Sequence, residues 1–173
     1  MRIKTHTLIL LLCIGLFSCK NSNESCQALL MPNKLRQISR DSSLTTLNSA
    51  GKVSLIVLFD STVCSPCLLK DIYKYDRIFK LEKELGSNYV PMMVFSPKSS
   101  EVSSFVESYN LLQIKLNVYI DENHQFNLFN PCLKDNKNVF LLDESCHIVK
   151  SGTSESLFRE WNAYKNQIKE MII

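Results

Sequence analysis

The run Val53-Ser54-Leu55-Ile56-Val57-Leu58-Phe59, followed after four residues by Cys64-Ser65-Pro66-Cys67, is the most informative stretch of this chain. An almost wholly apolar run of seven residues predicts a central parallel strand that helices cover on both faces. Helical spacing follows the cysteines, so the two thiols are expected at a strand-to-helix junction. There the unpaired N–H groups and the positive end of the helix dipole stabilise a thiolate. Two such thiols, three residues apart, can form a small disulfide and open it again.

The helix after this junction is predicted over residues 66–85. Its apolar positions Leu68, Ile72, Tyr75 and Phe79 recur at intervals of three or four, as on the buried face of a helix. Pro66 is compatible with the first turn, where its missing N–H costs no intrahelical hydrogen bond. Gly86 is typical of the residue that ends a helix.

The rest of the chain alternates strands with helices and ends in a hairpin and a last helix. The predicted elements are a strand at Tyr89–Phe95, a helix from about Ser99, a strand over 116–120, a short helix or turn within 122–130, hairpin strands at Val139–Leu142 and 147–150, and a helix from about Ser154 through Trp161 and Tyr164. This order predicts an α/β fold with a central mixed sheet flanked by helices.

The N-terminus indicates export. Arg2 and Lys4 precede an apolar stretch over residues 8–17, which is short for a membrane-spanning helix. The stretch ends in Leu16-Phe17-Ser18-Cys19, which resembles a bacterial lipoprotein box with Cys19 as the lipidated residue. An ordinary signal peptide or a plain membrane anchor is the alternative. The predicted organisation is a signal over 1–18, a tether and N-terminal extension over 19–50, and a folded domain over 51–173, with residues 20–30 interpreted as the tether.

Composition excludes some partners. The chain has 20 basic and 17 acidic residues, and loss of Arg2 and Lys4 with the signal brings these numbers close to balance. No basic patch alternates with aromatic residues, so nothing indicates binding to nucleic acid. A chain of this length and apolar content is expected to form one packed domain.

Seven cysteines fit an oxidising compartment. Without Cys13 in the signal and the lipidated Cys19, five remain. If Cys64 pairs with Cys67, three are left over, an odd number. Cys132 and Cys146 flank a predicted strand, which leaves a bridge between them open. Cys26 would then be the unpaired thiol.

The layout of a Cys-x-x-Cys pair after the first strong strand resembles the thioredoxin fold. More narrowly, the chain is similar to the redoxin-type (TlpA/ResA-like) lipoproteins of Bacteroidetes. The likeness covers roughly residues 53–173. It rests on Leu58-Phe59 four residues before Cys64-Ser65-Pro66-Cys67, on the strand Tyr89–Phe95 and on Phe140-Leu141-Leu142-Asp143 opening the hairpin.

This resemblance implies an enzyme, a thiol–disulfide oxidoreductase anchored to a membrane of the cell envelope and facing the periplasm. Cys64 would be the exposed nucleophile and Cys67 the buried resolving thiol of a redox-active disulfide. Ser65 and Pro66 would set its potential through the local amides. The chemistry needs no cofactor, and its partner is the dithiol or disulfide of a client protein.

The chain departs from the thioredoxin pattern at three positions. Lys137 stands where the family places a cis-proline, and a non-proline bond there is expected to be trans. Val63 replaces the usual tryptophan before the first cysteine. Leu58 occupies the position of the buried acid that assists proton transfer.

Other functions remain open. One is a non-catalytic thioredoxin-like binding module, and another is a Sco-like copper protein in which His124 joins Cys64 and Cys67. His147 and Cys146 are expected to point to opposite faces of a predicted strand and so not to share a metal, and His147 is interpreted as a surface residue. A zinc site is disfavoured because no second Cys-x-x-Cys and no suitably spaced Cys/His pair is present, so no metal is expected for the oxidoreductase.

Overall fold

A mixed sheet forms the centre of the fold in the computed structural model, which describes residues 27–32, 35–38, 51–59, 65–133 and 136–172. Its strands along the chain are β1 Arg36–Ile38, β2 Val53–Phe59, β3 Tyr89–Phe95, β4 Val118–Ile120, β5 Val139–Leu142 and β6 Ile148–Gly152. In space their order is β1-β4-β3-β2-β5-β6. β2 is central, parallel to β3 and antiparallel to β5. The predicted α/β mixed sheet is thus confirmed, with β2, β3 and β5 at their expected bounds.

Alternate residues of each central strand face two separate cores. Leu55 and Val57 of β2 belong to a first core cluster, whereas Ile56 and Leu58 contact a second one on the other face. Burial on both faces explains why β2 is an apolar run with no polar alternation. Each such leucine or isoleucine contributes about 1.5–3 kcal/mol when fully buried.

The helices cover both faces, as the sequence predicts. Their bounds are α1 Ser65–Leu69, α2 Asp76–Leu85, α3 Val102–Leu111, α4 Gln125–Phe129, α5 Ser154–Arg159 and α6 Trp161–Ile172. Helices α1, α2, α3 and α6 bury residues such as Leu69, Ile78, Phe105 and Tyr164 in the first cluster. Helix α4 instead buries Phe126 in the second.

The single helix predicted over 66–85 is interrupted. After α1 the chain passes through a 3₁₀ turn, Ile72–Tyr75, before α2 begins. Asp71 N–H bonds to the Leu68 carbonyl at 3.1 Å, a spacing of three residues. Because Leu69, Ile72 and Tyr75 are themselves three apart, the tighter 3₁₀ winding keeps all of them facing the core. Gly86 ends α2 with a φ of 67°, as its position predicts.

The last predicted helix is also two helices. Thr153 and Ser156 form a capping box at the start of α5, where the sequence places a helix start. The helical pattern is broken at Glu160, and α6 then buries Tyr164 and Ile168 completely. Trp161 packs against the same core while remaining partly exposed.

Leu29 packs on the second face of the sheet, so the interpretation of residues 20–30 as a tether does not hold at this residue. Leu29 is buried, and its N–H donates to the Cys146 carbonyl at 3.0 Å. Asn130 holds Leu30 on both sides, accepting from its N–H at 2.7 Å and donating to its carbonyl at 2.9 Å. The segment around Leu29 packs on the sheet because burying its apolar side chains is favourable, although the residues before it in the sequence are polar. Together with β1, it extends the packed fold to residues before Gly51.

Within the described residues, no helix is long and apolar enough to cross a bilayer. Cys19 and the predicted signal lie outside the described residues.

Candidate functional site

Cys67 lies on α1, the first helix of the described residues after the central strand β2. It is the third residue of this five-residue helix, which begins at Ser65 with Pro66 in its first turn. Its sulfur is engaged in a disulfide bond, and its side chain is exposed. A disulfide that solvent and other proteins can reach is able to exchange with external thiols.

The exposure of Cys67 corrects one expectation from the sequence, that of a buried resolving thiol. Leu69 is the residue of α1 that faces the core, with none of its surface exposed. Cys67 precedes it by two positions, which is about 200° around a helix. Burial of Leu69 therefore turns Cys67 outward.

Cys64 lies outside the described residues, as do the side chains of Ser65 and Pro66. The pairing of Cys64 with Cys67 and the roles of Ser65 and Pro66 stay predictions. Val63, where the family carries a tryptophan, is likewise not described.

A cleft of about 260 Å³ opens beside Cys67 between α1 and the end of α3. Its lining residues are Cys67, Lys70, Ser108, Leu111 and Leu112. The cleft follows from the packing of α1 against α3, which the sequence does not predict. A hint was present in Leu111-Leu112, since Leu111 follows the core-facing Tyr109 by two positions and cannot share its face of the helix.

The loop before β5 approaches β2 immediately ahead of the cysteine segment. The Asn138 side chain donates to the Ser154 hydroxyl oxygen at 2.9 Å and accepts from the Ser154 N–H at 2.9 Å. It thereby joins this loop to the start of α5. Lys137, one residue earlier, is exposed, and every described peptide bond is trans, as expected at this position.

The remaining described cysteines differ from each other. Cys132 is disulfide-bonded, whereas Cys146 is a free thiol. The bridge between them that the sequence left open is therefore not formed. Burial, and then the nearby Asp143 carboxylate, raises the pKa of Cys146 above its ordinary value. Cys26 lies outside the described residues.

The two histidines of the described residues lie on different elements. His124 immediately precedes α4, and its left-handed backbone has a φ of 51°. His147 is exposed in the β5–β6 hairpin, with Nδ1 3.4 Å from Asp143 Oδ2, which fits its interpretation as a surface residue. Among the residues that the structure describes, no three His, Cys, Asp or Glu side chains come close enough together to hold a metal ion.

Solved structures with similar folds come from several organisms. A thioredoxin-like protein of Porphyromonas gingivalis superimposes with a TM-score of 0.53 at 20% identity, covering 83% of this chain and 94% of its own. An exposed lipoprotein thioredoxin of Streptococcus pneumoniae superimposes with a TM-score of 0.50 at 23% identity, covering 70% of this chain and 87% of its own. Copper-bound ScoI of Arabidopsis thaliana superimposes with a TM-score of 0.52 at 15% identity, covering 83% of this chain and 99% of its own.

The chain has a thioredoxin-like fold. No protein-family model and no curated protein matches its sequence. At these identities the likeness is one of fold, and function has to be argued from the residues themselves.

Proposed function

We propose that this protein is a membrane-anchored thiol–disulfide oxidoreductase acting through Cys64 and Cys67. The observation that carries the proposal is the exposed, disulfide-bonded Cys67 on the first turn after the central strand of a thioredoxin-like fold. Cys64 is the natural partner because it lies three residues away, just before α1.

The reaction exchanges one disulfide for another. In the reducing direction, the Cys64 thiolate attacks a client disulfide, forming a mixed disulfide while one client sulfur leaves as a thiolate. The Cys67 thiolate then attacks the Cys64 sulfur, which closes the protein disulfide and releases the second client thiol. The client gains two electrons and two protons, and the cysteine pair loses both. The reverse sequence oxidises a client dithiol without any cofactor.

Trapping the mixed disulfide tests this function. The Cys67→Ala variant leaves Cys64 without its resolving partner, so covalent adducts with a disulfide-containing protein such as insulin should accumulate and be released by dithiothreitol. A Cys146→Ala background removes the free thiol that could form adducts of its own. The matched control is Cys64→Ala, which removes the proposed nucleophile.

No adduct from Cys67→Ala, together with a wild-type pair that dithiothreitol cannot reduce, would overturn the proposal. That outcome would favour a non-catalytic binding module on the same fold.

Lipidation at Cys19 places this activity at the cell envelope. The support is the Leu16-Phe17-Ser18-Cys19 motif after a short apolar stretch, and one structural neighbour is itself an exposed lipoprotein. Acyl chains on Cys19 would hold the domain at a membrane while it stays in water. Wild-type protein expressed in a bacterium should incorporate labelled fatty acid, and Cys19→Ala should not; equal labelling of both would contradict the anchor.

Copper binding is the second candidate, because one neighbour of similar fold carries copper. His124 follows β4, which is parallel to β3 and β2 and ends at the same edge of the sheet. Helix α4, which follows His124, packs on the second core, whereas α1 packs on the first, and β3 lies between β2 and β4. A stoichiometric Cu(I) complex lost in both Cys64→Ala and His124→Ala would establish the copper function instead.

A further inference from the structure

The cleft between α1 and α3 exposes apolar surface directly beside the disulfide-bonded cysteine. Leu111 is 75% exposed and Leu112 is 36% exposed, although both belong to the end of a helix that packs on the core. Helix α3 buries Phe105 and Tyr109 against the sheet, so Leu111, two positions after Tyr109, points away from the core, while Leu112 is the residue that follows the last turn of the helix. The two adjacent leucines form a small exposed apolar patch beside Cys67.

The two walls of the cleft are tied together. Tyr73, in the 3₁₀ turn after α1, donates its hydroxyl to the Leu112 carbonyl oxygen at 3.1 Å. This bond joins the end of α3 to the segment that carries Cys67 and Lys70. The cleft therefore exists before anything binds, which spares a partner the entropy of ordering it.

The size of the cleft favours part of a polypeptide as its occupant. Its volume of about 260 Å³ lies below the range of about 300–1,000 Å³ that is usual for small-molecule and cofactor sites. An open depression of this size accepts one or two side chains of an extended chain.

Charge at the rim restricts the occupant further. Lys70 lines the cleft, and no carboxylate of the described residues pairs with it, whereas neighbouring Lys74 pairs with Asp71 at 2.9 Å. The ammonium group of Lys70 lies beside apolar surface. It therefore complements a binding partner that carries a carboxylate next to an apolar side chain.

We infer that this cleft, lined by Cys67, Lys70, Ser108, Leu111 and Leu112, is where a client polypeptide docks beside its reacting cysteine. A leucine-like side chain of the client contacts Leu111 and Leu112, and an acidic side chain faces Lys70. This inference rests on the proposed function, because it supplies the client class for the same cysteine pair.

Synthetic peptides provide the test. Each carries one cysteine joined by a disulfide to a chromogenic aryl thiol, flanked either by leucine and aspartate or by serine and lysine. A thiolate of the reduced Cys64–Cys67 pair attacks the peptide sulfur, the bond to the aryl sulfur breaks, and the aryl thiolate leaves with the electron pair. The second protein thiol then displaces the reduced peptide. A Cys64→Ala/Cys67→Ala protein measures the rate due to other thiols, which is subtracted.

The wild-type protein should react with the leucine-aspartate peptide about tenfold faster than with the serine-lysine peptide, as one buried leucine allows. Leu111→Ser should remove most of this preference. Lys70→Glu should reverse the part of the preference that comes from charge, so that lysine in the peptide is favoured over aspartate. The matched control is Leu128→Ser, since Leu128 is 71% exposed on α4, on the other side of the sheet, and should keep the wild-type preference.

The outcomes separate this inference from the proposed function. A wild-type pair that reacts with neither peptide nor dithiothreitol would overturn the oxidoreductase itself. Exchange with equal rates for the two peptides, or an equal loss of preference in Leu111→Ser and Leu128→Ser, would overturn the docking site alone.

Discussion

The Asn138 side-chain amide donates a hydrogen bond to the Leu58 carbonyl oxygen at 3.2 Å, and the Leu58 N–H donates to the Asn138 carbonyl oxygen at 2.8 Å. These bonds fix the end of β2 to the loop that carries Lys137. Since Leu58 is the second-to-last residue of β2, Asn138 anchors the end of the strand that precedes the cysteine segment in the sequence.

Asn138→Ala should therefore affect both stability and redox behaviour. The change deletes the side-chain bonds to Leu58 and Ser154, and leaves the partly buried Ser154 N–H without its acceptor. We expect a loss of about 1–3 kcal/mol in the free energy of unfolding in urea. The reduction potential of the cysteine pair should shift as well. Asn136→Ala, at an exposed residue of the same loop, should change stability by less than about 0.5 kcal/mol and leave the potential alone; equal effects would contradict the role of Asn138.

Gly152→Ala should destabilise the fold through steric overlap. A Cβ at this position would overlap the Ser156 hydroxyl and lie 3.0 Å from the Tyr164 hydroxyl. Overpacking of this kind costs about 1–3 kcal/mol, measurable by urea unfolding. In a Ser156→Ala background the same change should cost less, because the overlapping oxygen is gone. Strictly additive costs would show that the strain has another origin.

The hairpin carboxylate of Asp143 should make stability depend on pH. Burial acts to raise its pKa, but the N–H groups of His147 and Ser145, each 2.9 Å from Oδ1, outweigh burial and lower the pKa. A depressed pKa stabilises the folded state above the unfolded value, about 3.9, and this contribution is lost as the pH falls through the folded value. Asp143→Asn should therefore lower Tm at pH 7 and have a smaller effect near pH 3. A difference in Tm that does not vary with pH would contradict this.

The free thiol of Cys146 should be chemically quiet. Its raised pKa keeps the thiolate fraction low at pH 8, so alkylation by iodoacetamide should be slower than for the same residue in urea. Mass spectrometry of the labelled peptide measures both rates. Faster alkylation in the native protein would show that the environment of Cys146 promotes ionisation instead.

The central strands could be predicted because burial on both faces leaves a continuous apolar run, as in Val53–Phe59 and Tyr89–Phe95. β1 could not be predicted, because Arg36, Gln37 and Ile38 form a strand only through antiparallel pairing with β4, some eighty residues away. The interruption of the helix at Lys70 and Asp71 could not be predicted from the periodicity, because apolar residues three apart are compatible with both an α-helix and a 3₁₀-helix.

At the site, the motif predicts the chemistry of the cysteines and their place after β2. The outward direction of Cys67 and the cleft beside it depend on how α1 and α3 pack, and the clamp by Asn138 depends on a contact between residues 80 positions apart. Such long-range geometry is absent from a local pattern.

Equilibration of the purified protein with dithiothreitol buffers of known potential, followed by mass spectrometry of the Cys64–Cys67 peptide, tests the central claim most directly. The account predicts one two-electron transition above about −300 mV, in the range of exchanging disulfides between thioredoxin and stronger oxidants. A peptide that stays oxidised well below about −300 mV, or one in which Cys67 is bonded to a cysteine other than Cys64, would contradict it.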